Sequence, residues 1–218
     1  MNSKSYFIAS FTTDIGKTHF VTKFIKSAIE QKIPINAIKP IITGFDENDN
    51  SSDSAKIIKA LGFDLNQSNL DKISPWRFDQ PCSPHLLGDI INYQDLKTFC
   101  TKKITESTAQ NKLLLIESAG GIMTPISYSH NFLNLAQDLN SPVIFITQNF
   151  LGSISQTLTA IEALKNKGCD IKYIIVNNKE SQQDSMMSDD QFASDIKKFT
   201  KVATYKITDF IANLKDFA

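Results

Sequence analysis

Short runs of apolar residues alternate along this chain with longer stretches whose apolar positions recur every three or four residues. Tyr6-Phe7-Ile8-Ala9 predicts a first strand. Phe20, Phe24, Ile25, Ala28 and Ile29 follow at helical spacing and predict a helix ending near Gln31. Residues 35–42 read as a second strand, with Pro40 near its exit. The runs 113–116, 142–146 and 173–176 are continuously apolar, as strands buried on both faces of a parallel sheet must be. Helical spacing returns near 131–139, 154–165 and 191–199, and 202–207 predicts a last strand. Trp76 and Phe78 read as packing a loop onto the sheet. Strands alternating with helices imply crossover connections, hence an α/β fold with a mainly parallel sheet flanked by helices on both faces. Ligands of such sheets bind beyond the carboxyl ends of the strands.

Composition narrows the function classes. The 218 residues suit a single domain over 1–218, and 41% hydrophobic residues supply an ordinary core. The formal net charge is zero and no basic cluster stands out, so neither nucleic acid nor an anionic membrane is expected as a partner. Cys82, Cys100 and Cys169 are odd in number and widely spaced, which predicts reduced thiols rather than a disulfide or metal framework. The first apolar run is too short for a signal sequence, so a cytoplasmic location is expected. The stretches 46–53 and 179–190 are polar and read as an exposed and a mobile loop.

The chemistry is carried by residues at predicted strand ends. Ser10-Phe11-Thr12-Thr13-Asp14-Ile15-Gly16-Lys17-Thr18 leaves the first strand and opens the first helix. Gly16 lets backbone amides approach phosphate, Lys17 brings a cation to the β- and γ-phosphates, and the Thr18 hydroxyl can ligate magnesium. The strict phosphate-loop pattern wants glycine where Phe11 stands. Glu117 ends the 113–116 run and precedes Ser118-Ala119-Gly120-Gly121, a place from which a carboxylate completes a magnesium shell. Asp53 is a second candidate ligand and also a candidate helix cap. Lys39 leaves the second strand among apolar residues, so it needs an anionic partner or water.

Together these segments resemble the dethiobiotin synthetase family, a group with the P-loop NTPase fold. The family's G-T-D-T-x-V-G-K-T corresponds to 10–18, its K-P-x-x-[ST]-G to Lys39-Pro40-Ile41-Ile42-Thr43-Gly44, and its S-P-H to Ser83-Pro84-His85. Its E-G-A-G-G corresponds to 117–121, its L-G-x-I to Leu151-Gly152-Ser153-Ile154, and its N-D pair to Asn177-Asn178. The resemblance implies a ligase that uses ATP and Mg2+ to close a cyclic urea from 7,8-diaminononanoate and CO2. It implies Lys17 and Lys39 as the catalytic cations, and Thr18, Asp53 and Glu117 as metal ligands. Asp14, Ile15, Gly16, Lys17, Thr18 and His19, with Asp53, Glu117, Ser118, Ala119, Gly120 and Asn177, become the nucleotide site; Asn177 reads the adenine. Thr43, Gly152 and Ser153 become the substrate site, and a homodimer follows because the family takes that last helix from a second subunit. Ser10, Phe11, Ser118 and Asn178 depart from the family pattern, and no adenine-facing G-x-x-P segment precedes Thr208.

Two other readings use the same fold: a non-catalytic nucleotide-binding regulator, and a partitioning-type ATPase. The second carries an extra lysine five residues before the loop lysine, where this chain has Thr12.

Overall fold

The computed structural model describes residues 5–47, 49–88, 90–177 and 187–216. Its frame is a six-stranded, all-parallel sheet. In chain order the strands are β1 (Ser5–Ser10), β2 (Ile35–Ile38), β5 (Leu113–Glu117), β6 (Val143–Thr147), β7 (Ile171–Val176) and β8 (Thr204–Lys206). In space the order is β2-β5-β1-β6-β7-β8, with β1 and β6 innermost. A separate two-stranded parallel sheet pairs β3 (Ile41–Thr43) with β4 (Trp76–Phe78).

Strand alternation divides the core into two layers. Phe7 and Ala9, Leu114 and Ile116, and Val143 and Phe145 face one side. There they meet α4 (Tyr93–Ala109), α5 (Phe132–Leu139), α6 (Ser153–Asn166) and α7 (Asp189–Thr200) through Leu96, Phe132, Ile161 and Phe192. Tyr6 and Ile8, Leu113 and Leu115, and Ile144 and Ile146 face the other side. That layer is closed by α1 (Lys17–Glu30), α2 (Asp53–Ala60), α3 (Gln67–Ile73) and α8 (Ile207–Ala212). Phe20, Phe24 and Phe210 form its aromatic centre, with ring centroids 5.7–6.2 Å apart. Each fully buried phenylalanine contributes about 1.5–3 kcal/mol of transfer free energy, which anchors α1 and therefore the loop that precedes it.

The expected single strand 35–42 is corrected to two. Pro40 has no N–H to donate, and the chain changes partners there. Lys39 donates its backbone N–H to Ile73 O at 3.1 Å, and Pro40 O accepts from Trp76 N at 3.1 Å. Trp76 and Phe78 therefore belong to a strand rather than a loop. Asp53 is the first residue of α2 and not its cap: Ser52 fills that place, its hydroxyl accepting from Ala55 N at 3.3 Å. The cap role being taken, the Asp53 carboxylate is left to side-chain partners. Helix α4, with 17 residues, escaped the apolar pattern because its interior positions are only Leu96, Cys100 and Ser107. Its start is marked instead by Asn92, whose side chain accepts from Gln94 N and Asp95 N. Asn178 and residues 179–186 of the expected polar loop lie outside the described residues. Met187 and Ser188 lead into α7, which Ser188 caps. Among the described residues no helix is long and apolar enough to cross a membrane.

Candidate nucleotide and substrate site

The loop between β1 and α1 depends on close backbone approach. Gly16 has φ 96°, and a Cβ built on it would come within 2.0 Å of Asn177 Nδ2. Asn177, just beyond β7, donates that Nδ2 to Ile15 O at 3.1 Å, so the asparagine fixes the turn that only glycine can make. Gly121 is required for a different reason: a Cβ there would stand 2.3 Å from Phe11 O. Ile122 N donates to Ser10 O at 2.7 Å, so the 117–122 loop lies directly on the entry to the phosphate loop. α1 begins at Gly16 without a side-chain cap, which leaves amides of its first turn for an anion.

The departures at positions 10 and 11 find local partners. The Phe11 ring packs against Phe145 and Phe150, with centroids 6.5 and 6.0 Å away. Ser10 is fully buried, and its hydroxyl donates to Thr12 O at 2.6 Å while accepting from Lys17 Nζ at 2.9 Å. Lys17 Nζ also donates to Thr12 O at 3.0 Å. Burial pushes the Lys17 ammonium down to about 8; Glu117 opposes that shift and the Lys39 charge adds to it. Ser118 has no positive φ, so replacing glycine there costs no backbone strain. Its hydroxyl donates to Ile8 O at 3.1 Å and is turned into the sheet.

The metal candidates meet around Lys39. Its ammonium donates to Glu117 Oε1 at 2.9 Å, to Asp53 Oδ2, and to Thr18 Oγ1 at 3.5 Å. Thr18 Oγ1 in turn donates to Glu117 Oε1 at 2.5 Å. Four elements contribute: the exit of β2, the starts of α1 and α2, and the end of β5. Burial works to lower the Lys39 pKa, but Glu117 and Asp53 outweigh it, and the group ends above its ordinary value. Burial likewise works to raise Asp53, and Lys39, by charge and hydrogen bond, carries it below the usual carboxylate range. Glu117 is 1% exposed, and among the described residues its Oε2 has no hydrogen-bond partner.

That orphaned oxygen bears on magnesium. Two carboxylates and a hydroxyl are hard oxygen donors, and one buried lone-pair set is unused. Among the described residues no three His, Cys, Asp or Glu side chains cluster as a closed metal cage. Magnesium does not need one, because it keeps waters and takes phosphate oxygens as ligands. The residues fit the ion.

Two cavities adjoin this cluster. The first, about 280 Å³, is lined by Asp14, Gly16, Lys17, Thr18, His19, Lys39, Asp53, Glu117 and Gly120. The second, about 450 Å³, is lined by Thr43, Pro81, Cys82, Ser83, Pro84, Ala119 and Thr124. They share Thr13, Asp14 and Gly120. Sequence reasoning passed over Thr13 and Thr124. Thr124 follows the 117–121 segment in the sequence, and its Oγ1 accepts from Gly121 N at 2.9 Å, which fixes it beside that turn. Ile15, Ser118 and Asn177 line neither cavity; Ile15 packs into the core beneath the loop and Asn177 is buried behind Gly16. His85 contacts Ser83 Oγ at 3.0 Å and stands edge-on to Tyr128.

Gly152 and Ser153 are not brought to either cavity. The Ser153 N–H is already engaged: it donates to Phe150 O at 3.0 Å, and the Ser153 hydroxyl bonds the same turn. Among the described residues the Gly152 N–H meets no backbone acceptor, and Leu151 beside it is 93% exposed.

A family profile described as "AAA domain" matches residues 4–212. An "ATP-dependent dethiobiotin synthetase BioD" of Phenylobacterium zucineum is 34% identical, over 79% of this chain and 75% of that one. The chain belongs to the dethiobiotin synthetase family. A second relative of that family, "ATP-dependent dethiobiotin synthetase BioD 2" of Haemophilus influenzae, is 32% identical over 80% of this chain and 91% of that one. Among solved structures, the MinD cell division protein of Aquifex aeolicus superposes with a TM-score of 0.55 over 97% of this chain and 85% of that one. At 13% identity it speaks for the P-loop NTPase fold alone. Within the dethiobiotin synthetase family the departures at Ser10, Phe11 and Ser118 are local, each absorbed by the contacts described above.

Proposed function

We propose that this chain is a ligase that closes the ureido ring of dethiobiotin from 7,8-diaminononanoate, CO2 and ATP. The observation that carries this reading is the pair of adjoining cavities. One is built for phosphates and the other, reached across Thr13, Asp14 and Gly120, is lined by Thr43. The segment that supplies Lys39 to the first supplies Thr43 to the second, four residues on.

A substrate amine captures CO2 as a carbamate and loses a proton. A carbamate oxygen attacks the γ-phosphorus as ADP leaves, giving a carbamic–phosphoric anhydride. The second amine attacks the carbonyl carbon, expels phosphate, and closes the ring. Phosphoryl transfer needs charge placement more than covalent help. Lys17 and Lys39 approach the transferring group from the loop and from β2, and their fixed donors favour the transition state. Thr43 hydrogen-bonds the reacting amine or carbamate. Thr18, Asp53 and Glu117 would hold magnesium, which when bound neutralises phosphate charge. Asn177 Oδ1, buried and without a partner among the described residues, is an acceptor for the exocyclic amine of adenine. Asp14, His19 and Gly120 line the nucleotide's path, while Ala119 lies in the second cavity, where it faces the substrate's side. The amide of Gly152, at the start of α6, takes the substrate carboxylate of a neighbouring subunit in a homodimer. We place the enzyme in the cytoplasm, as one domain.

The test is isotopic. Incubation with 13C-bicarbonate, diaminononanoate and MgATP should give dethiobiotin labelled in the ureido carbonyl, read by mass spectrometry. ATP turnover without labelled product would contradict the reading.

A further inference from the structure

Lys17 has three N–H donors, and the loop already takes two of them: Ser10 Oγ at 2.9 Å and Thr12 O at 3.0 Å. A triphosphate facing this lysine presents both β- and γ-oxygens and so asks for two donors. With Thr12 O retained, the ammonium is fully used, and Ser10 is one acceptor too many. A diphosphate presents only its β-oxygens, and the third N–H meets them with both loop bonds intact.

Ser10 and Thr12 both stand behind the rim that Thr13 and Asp14 form, and neither lines a cavity. An ammonium drawn toward the cavity gives up one of these two acceptors, and Ser10 Oγ is the one that belongs to a side chain rather than the backbone. Ser10 tolerates that loss, because its hydroxyl still donates to Thr12 O at 2.6 Å.

We propose that Ser10 is a specificity-determining residue that competes with the γ-phosphate for Lys17 and so weakens triphosphate binding relative to diphosphate binding. The proposal rests on reading residues 10–18 as the phosphate loop. A glycine or alanine at this position has no hydroxyl and imposes no such competition.

The experiment is calorimetric titration of the full chain with MgADP and with the magnesium complex of a β,γ-imido ATP analogue. Ser10→Ala should bind the analogue about tenfold more tightly, the size of one hydrogen bond to a charged donor, with ADP affinity within about twofold of wild type. Ser10→Gly should do the same, and melting curves of both verify that they are folded. Equal tightening of both nucleotides, no change in either, or weaker analogue binding overturns the proposal. So does loss of ADP binding in both variants, which would make Ser10 a support of the loop itself. Failure of the wild type to bind ADP would instead overturn the phosphate-loop reading beneath it.

Discussion

The Lys39 ammonium stands 2.9 Å from Glu117 Oε1 and also holds the carboxylate of Asp53, so one cation occupies the space between two candidate magnesium ligands. Without nucleotide this is what keeps a 1%-exposed carboxylate in the interior. A divalent cation held by these oxygens would supply its own charge to them, and Lys39 would then be free to face the phosphate.

Lys39→Met should therefore reveal two effects. The nucleotide-free variant should lose about 3–5 kcal/mol of stability in denaturant titrations, the cost of leaving a buried carboxylate without its partner. Turnover should fall on the order of 100-fold, while nucleotide affinity changes far less, because the lysine acts mainly on the transferring phosphoryl group. Steady-state kinetics in which KM rises and kcat holds would reduce Lys39 to a binding residue.

Gly121→Ala should damage the phosphate loop from outside it. The added methyl would stand 2.3 Å from Phe11 O, and backbone on both sides must shift. Nucleotide affinity should drop at least tenfold, with a loss of stability of roughly 1–3 kcal/mol from overpacking. An alanine variant with wild-type nucleotide affinity would show that the loop is not held by this contact.

Lys17 predicts a pH dependence whose sign follows from its burial. Its pKa falls from 10.5 in the unfolded chain to about 8 in the fold. Between those values the unfolded chain holds the extra proton, so the Lys17 contribution to stability increases as pH rises from 8 to 10.5, by roughly 3 kcal/mol in all. Compared with Lys17→Met, the wild type should gain stability across that window in denaturant titrations and show no relative change from pH 6 to 7.5. Nucleotide affinity should move the opposite way above pH 8, since a neutral amine attracts phosphate weakly.

Asn177→Ala should separate two roles of one side chain. Loss of the Nδ2 bond to Ile15 O should loosen the loop and weaken ATP and GTP alike. Loss of Oδ1 should cost ATP selectively. A fall in the ATP-to-GTP preference of at least tenfold in binding titrations supports an adenine contact; an unchanged preference leaves only the prop.

The sheet was legible because buried parallel strands announce themselves as continuous apolar runs, as at 113–116 and 142–146. The loop and the acids were legible because phosphate chemistry demands glycine, lysine and carboxylate at strand ends. The break after Lys39 was not, since apolar residues lie on both sides of it and only Pro40 hints at a change of sheet. Nor was α4, whose buried stripe is thin and whose signal lies in its Asn92 cap. The Ser10–Lys17 and Asn177–Ile15 bonds join positions 7 and 162 residues apart, and no local pattern encodes either. The engaged Ser153 amide likewise depends on how the turn at Phe150 closes.

The most direct measurement is phosphate release from ATP with each reactant withheld in turn. Release should require diaminononanoate, bicarbonate and magnesium together, and should match dethiobiotin formed one to one. Release at the same rate without the diamine would contradict the ligase account and leave an ATPase in its place.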